Sequence, residues 1–194
     1  MLRIGIFRGA FSPIHRGQVY AAKEFMKQMW IDVLFVVPER ISDTSVRNID
    51  RLRMCELAFE GEEGIIVSDI ELRGQNGLVD TLSALSDSDR RLFLLCGTDT
   101  LLELGGRDDA GKIFELAYPV YVRRENDAIL DEKVVARVTD YRQRYGKNVV
   151  KIDVPAMPVS SREIRSKISV GEDASALLPE RVSEYIKEKG LYRI

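Results

Sequence analysis

The stretch GAFSPIHRGQ, residues 9–18, lies between an apolar run at residues 2–7 and a run with helical spacing. Val19, Ala22, Met26 and Met29 recur three or four residues apart, so residues 18–30 read as an amphipathic helix. The apolar run reads as a strand, and the ten residues between them as a strand-to-helix turn. Their composition suits that place. Gly9 permits a tight turn and close approach of a ligand to the backbone, Pro13 has the fixed φ of a helix start, and Gly17 leaves the first helical turn uncovered. The only histidine of the chain, His15, stands here. His15 and Gln18 are three residues apart, which puts them on one helical face. The free N–H groups of a helix start favour an anion. The turn therefore reads as a phosphate-binding corner with two side-chain donors. The alternative is a capped helix whose histidine is incidental.

Working outward, VLFVV at 33–37 is a second strand, ended by Pro38. Residues 39–48 are polar and turn-rich and read as a mobile loop. Helical spacing returns at 49–59, a third strand follows at 65–67, then a helix at 79–85 and a strand at 91–96. Residues 113–117 read as helix, 120–122 as strand, 131–145 as helix and 149–152 as a last strand. Two helices close the chain. The first starts at SSRE, where Ser160 and Glu163 fit a capping box. The second covers 179–189, with Pro179 suited to its first turn and Gly190 to its C-cap. This alternation predicts an α/β fold, a doubly wound parallel sheet. Residues 1–194 read as one domain, with 160–194 a C-terminal helical extension of the same core. In such sheets ligands bind at the carboxyl ends of the strands, which is where residues 9–18 fall.

Composition narrows the function classes. Hydrophobic residues are 45 % of the chain, enough for a sizeable core without staples. The formal net charge of −2 gives no broad basic field, so neither nucleic acid nor a membrane surface is an expected partner. No apolar run approaches the ~20 residues of a membrane span. The first strand, broken by Arg3 and followed by Arg8, does not read as a signal peptide. Cys55 and Cys96 lie in apolar segments and read as buried thiols, which points to the cytoplasm. The oligomeric state is not legible.

GAFSPIHRGQ resembles the G-x-F-x-P-x-H-x-G-H signature of the nucleotidyltransferase superfamily that carries a T/H-x-G-H motif. The resemblance extends along nearly the whole chain and is to bacterial nicotinate mononucleotide adenylyltransferases in particular. Its further motifs are RLRMCELAF (51–59), SDIEL (68–72), DTL (80–82), GTDTL (97–101), VYVRR (120–124), VSSREIR (159–165) and VSEYIKEKGLY (182–192). It implies a Rossmann-like fold and the transfer of an adenylyl group from ATP, carried with Mg²⁺, to a small phosphorylated acceptor in NAD biosynthesis. It assigns His15, Gln18 and Arg165 to catalysis. It gives Gly9, Ala10, Phe11, Gly17, Gly97, Asp99, Ser160 and Ser161 to the nucleotide, and Leu78, Thr81 and Arg124 to the acceptor. In this scheme His15 donates to the phosphoryl oxygens, the serines hold the outer phosphates and Arg165 clamps the leaving pyrophosphate. Asp99 accepts from a ribose hydroxyl or caps the helix after the fourth strand. No protein metal site is implied.

Several positions depart from the family pattern. The second histidine of the motif is Gln18, which donates a neutral hydrogen bond but carries no charge. Arg8 replaces a glycine, Ser12 an aspartate and Arg162 a threonine. A Tyr-Thr pair is Gly77-Leu78, an expected tryptophan falls in Gly105-Gly106-Arg107, and a Pro-His-Lys loop reads Pro38-Glu39-Arg40. An aromatic platform and a dedicated donor for a pyridine carboxylate are therefore not visible, and Arg8 reads as a stand-in for the missing imidazolium. Three readings stay open: a nicotinate-type adenylyltransferase, a transferase for another acceptor such as phosphopantetheine, and a catalytically weakened nucleotide-binding module.

Overall fold

Six strands account for most of the long apolar runs, and the order in which they pair places the site. The computed structural model describes residues 1–42, 46–74, 77–122, 128–155 and 157–193. The strands are β1 (Leu2–Gly9), β2 (Val33–Pro38), β3 (Ile65–Val67), β4 (Arg90–Gly97), β5 (Ala117–Val122) and β6 (Val150–Ile152). They form one sheet in the order β3-β2-β1-β4-β5-β6, and every pairing is parallel. The chain winds outward from β1 in one direction and from β4 in the other. The crevice between the carboxyl ends of β1 and β4 is thus the topological switch point, where such sheets take ligands.

The helices are α1 (Arg16–Gln28), α2 (Asn48–Ala58), α3 (Leu78–Leu85), α4 (Thr98–Leu104), α5 (Ala110–Leu116), α6 (Ala128–Tyr145), α7 (Ser161–Ser169) and α8 (Glu180–Lys189). Side chains of a strand alternate between faces, and the core divides accordingly. On one face Phe7, Leu34, Val36, Phe93 and Leu95 meet Phe25 of α1, Met54 of α2, Ile164 of α7 and Val182 and Ile186 of α8. On the other, Ile4, Ile6, Leu92, Leu94 and Cys96 meet Leu78, Leu82, Leu101, Ile113 and Tyr141 from α3, α4, α5 and α6. The C-terminal helices thus pack on the same core as α1. Tyr185 of α8 also donates to Asp50 of α2 at 2.8 Å.

Element boundaries move where the start signal is unusual. Helix α1 begins at Arg16 rather than 18 because His15, not an ordinary capping residue, is its N-cap. Helix α4, too short for a periodic signal, follows β4 directly. Pro179 caps α8 from outside rather than standing in its first turn, and Gly190 closes it with a left-handed φ of 62°. Ser160 accepts from the Glu163 amide at 3.1 Å, the forward half of the expected box. Residues 43–45, within the segment read as a mobile loop, lie outside the described residues.

Both cysteines are buried thiols. Burial pushes the Cys55 thiol up and that of Cys96 up to about 12, so both stay protonated at neutral pH. Among the described residues no helix is long and apolar enough to cross a membrane.

Candidate functional site

The turn at residues 9–15 is held from three directions. Arg51 on α2 is fully buried and donates to the carbonyls of Ala10 and Glu39 and to the Asn48 side chain. From α7, Ser161 donates to the Pro13 carbonyl at 2.8 Å and Arg165 to the Ser12 carbonyl at 2.6 Å. Near the C-terminus, the Ser12 and Tyr192 hydroxyls lie 3.1 Å apart. Phe11 sits in the middle with φ 45°, a left-handed conformation rare for an aromatic residue, and its ring packs edge-on to Phe7 at 5.0 Å. Three segments distant in sequence thus fix one loop.

His15 and Gln18 form a reciprocal cap. The Gln18 amide N–H donates to His15 Nδ1 at 3.3 Å, and the His15 N–H donates to Gln18 Oε1 at 3.2 Å. A ring nitrogen that accepts carries no proton, so the neutral imidazole bears its hydrogen on Nε2. The ring is buried yet lines a cleft with Phe7, Gly17, Gln18, Gly97, Val122 and Val159. Gly17 is required there: a Cβ on it would fall 2.9 Å from Val159 Cγ1 and 3.3 Å from His15 Nδ1.

Across the cleft, Gly97 is the N-cap of α4. Asp99 is therefore not the cap; it lies exposed in the first turn. Thr98, which sequence reasoning passed over, is buried, and its hydroxyl has no protein partner. No group of three or more metal-ligating side chains occurs among the described residues.

The other wall of the crevice differs from expectation. Arg8 does not stand in for an imidazolium beside His15. Strand alternation sends it to the face of Ile4 and Ile6, where its Nε lies 2.8 and 3.0 Å from the two Glu71 oxygens and its Nη1 2.7 Å from Glu39. Glu71 is 1 % exposed, so its charge is matched almost wholly by Arg8. Thr81 of α3 is buried and donates to Glu71 at 3.2 Å, while Leu78 is buried in the core beneath. Arg124 lies outside the described residues. Beyond Leu104, an aromatic ring does reach the corner where a tryptophan was missed, but from α6. Tyr141 takes the Gly105 N–H at 2.8 Å and donates to the Leu101 carbonyl at 2.6 Å. A Cβ on Gly105 would come within 2.3 Å of that ring. Tyr141 is fully buried and offers no stacking surface.

The structure thus brings Gly9, Ala10, Phe11, His15, Gly17, Gln18, Ser161 and Arg165 to one loop and its supports. It sets Gly97 opposite them and leaves Leu78 and Thr81 on the far face of the sheet.

A family profile described as "Cytidylyltransferase-like" matches residues 6–167. Among curated relatives, a "Probable nicotinate-nucleotide adenylyltransferase" of Desulfatibacillum aliphaticivorans is 30 % identical over 98 % of this chain and 100 % of its own length. One of Geobacillus thermodenitrificans with the same description is 31 % identical over 99 % of this chain and 87 % of its own. Among solved structures, the Plasmodium falciparum nicotinic acid mononucleotide adenylyltransferase complexed with NaAD superposes with a TM-score of 0.78 at 17 % identity, covering 99 % of this chain and 98 % of that one. At that identity the likeness speaks for the fold.

Proposed function

The chain belongs to the cytidylyltransferase-like family and groups within it with the nicotinate-nucleotide adenylyltransferases; on that premise we propose that it transfers the adenylyl group of ATP to nicotinate mononucleotide, releasing pyrophosphate, in NAD biosynthesis. The observation that carries this reading is the buried His15 ring at the switch-point cleft, its Nδ1 held by the Gln18 amide.

The chemistry needs no protein nucleophile. A phosphate oxygen of the acceptor attacks the α-phosphorus, a new P–O bond forms, and the bond to the β-phosphate oxygen breaks with its electron pair leaving on pyrophosphate. Negative charge is redistributed over the phosphoryl oxygens, and catalysis consists of positioning and of donors aimed at those oxygens. His15 donates from Nε2 to a non-bridging α-oxygen. Gln18 completes the cap that orients His15, and its amide N–H₂ is a neutral second donor. The backbone of Gly9 and Ala10 and the uncovered Gly17 let the triphosphate approach. The Ser160 hydroxyl, the Ser161 backbone N–H and the remaining N–H groups of Arg165 take the β- and γ-phosphates, while Gly97 and Asp99 receive the ribose. Mg²⁺, carried in as MgATP, would be held largely by the substrate phosphates and would neutralise part of their charge.

Incubation with ATP, Mg²⁺ and nicotinate mononucleotide is expected to yield pyrophosphate and dinucleotide in equal amounts. Arg165→Ala removes a charged donor worth ~1.5–3 kcal/mol, so calorimetric ATP affinity is expected to fall about 10- to 150-fold. Failure of ATP to bind at millimolar concentration would remove the basis of the proposal.

A further inference from the structure

A second cavity, of about 480 Å³, lies outside the switch-point crevice, between the end of α7, the turn at 171–178 and α8. Its floor is apolar: Leu178 and Ile186 are buried, and Ile168 is partly so. Ser183 of α8 also lines it and is only 6 % exposed. Its N–H is used within the helix, donating to the Pro179 carbonyl at 3.0 Å, whereas its hydroxyl has no partner among the described residues. Buried polar groups are as a rule hydrogen-bonded, so a hydroxyl left open on a cavity wall asks for a partner inside it.

Lys187 and Arg193 supply the charge. Arg193 has no acidic partner among the described residues, and Lys187 stands 3.9 Å from Asp173. The two carboxylates at the rim are already engaged. Asp173 accepts from the Ser175 N–H at 3.1 Å and hydroxyl at 2.7 Å, which holds its carboxyl below the ordinary range, and Glu172 lies 3.3 Å from Lys167. Such a lining accepts an anion, and the nearby acids favour one added negative charge over two. With the apolar floor, the fitting ligand is a monocarboxylate with an apolar body, and the volume is that of an ordinary small-molecule site.

Two segments of the cavity wall are tied to the phosphate turn. Leu178 accepts through its carbonyl from Arg16 Nε at 2.7 Å, and Arg16 directly follows His15. Arg193 follows Tyr192, whose hydroxyl lies 3.1 Å from that of Ser12. From this we infer that the α7–α8 cavity is a second ligand site, for an apolar monocarboxylate, and that its occupation tightens ATP binding at the crevice. A ligand that orders Leu178 and Arg193 removes part of the ordering cost that ATP otherwise meets at the turn. The coupling, though not the site, rests on the ATP-dependent reading above.

The probe is 2-naphthoate, with 2-naphthamide as an uncharged control of the same shape. In the full chain, backbone amide resonances of Ser169, Ser183 and Lys187 are expected to shift with naphthoate and not with an equal concentration of naphthamide. Ser183→Ala is expected to weaken naphthoate binding ~3- to 10-fold, and Arg193→Gln ~10-fold or more. Alanine is the better helix former, so the first substitution keeps α8 intact. Saturating naphthoate is expected to raise calorimetric ATP affinity ~5-fold, and ATP to raise naphthoate affinity by the same factor. Shifts confined to Gly17, Gln18 and Gly97, equal binding of the amide, or binding that neither substitution moves overturns the site. Naphthoate bound between α7 and α8 with ATP affinity unchanged overturns the coupling. Failure of ATP to bind overturns the adenylyltransferase reading and the coupling with it, while the shifts at α7 and α8 still decide the site.

Discussion

Replacing His15 with alanine is expected to lower turnover ~10²- to 10³-fold while ATP still binds. The imidazole is buried in the crevice, and its Nδ1 is held by the Gln18 amide at 3.3 Å. Its donor is thus preset on Nε2, and removing one such preorganised donor from a phosphoryl or acyl site costs that much. The same substitution also deletes the N-cap of α1, a loss of ~1 kcal/mol in stability. His15→Asn separates the two effects. Asparagine is a good capping residue, so the melting temperature should return towards that of the natural protein while turnover stays low. An asparagine variant with natural turnover would show that His15 is a cap and nothing more. Gln18→His is constrained by the same geometry. The N-cap N–H needs an acceptor at position 18, which a doubly protonated imidazole cannot be, so a histidine in that rotamer adds no charge and any rise in turnover is small.

The second large effect is on stability. Arg51 is fully buried, and among the described residues no carboxylate oxygen is in contact with it. Its positive charge is instead met by the carbonyls of Ala10 and Glu39 and by Asn48, and its Nε has no partner. Arg51→Met keeps length and apolar packing but strips the donor from the half-buried carbonyls of Ala10 and Glu39 and leaves Asn48 Oδ1 with the Ile41 N–H alone, at ~1–3 kcal/mol each. Relief from burying a charge offsets part of this, leaving a net loss of ~3–5 kcal/mol. For a chain of this size that corresponds to a fall of about 6–20 °C in Tm. Because Ala10 belongs to the phosphate-binding turn, turnover should fall as well, through misplacement of the loop. An unchanged Tm would show that the three acceptors find other partners.

Most of the fold was legible because its signals are local. The apolar runs at 33–37 and 92–95 are strands whatever surrounds them, and Gly, Pro and His packed into residues 9–18 marked the first turn as the ligand corner. What stayed hidden depends on residues far apart in sequence. Arg8 and Glu71 are 63 positions apart, so Arg8 looked like a charge beside His15 until strand alternation turned it to the other face. Arg51 lay in a helix of ordinary charged appearance, and only its burial reveals it as the brace of the phosphate turn. Gly105 read as a gap left by a lost aromatic, whereas it makes room for Tyr141 from 36 residues further on. Even the short-range His15–Gln18 cap was missed, because histidine is seldom a capping residue and its spacing suggested two donors rather than a donor and its clamp.

The central claim is a single in-line displacement at the α-phosphorus, with pyrophosphate leaving on the α7 side and the acceptor arriving from the opposite face. Its most direct test uses ATP carrying one sulfur on the α-phosphorus, as a single diastereomer, with nicotinate mononucleotide as acceptor. The configuration at phosphorus in the dinucleotide product is then determined. Direct attack by the acceptor predicts inversion. Retention would require two successive displacements through a covalent adenylyl-enzyme, and would contradict a site built only of donors and supports.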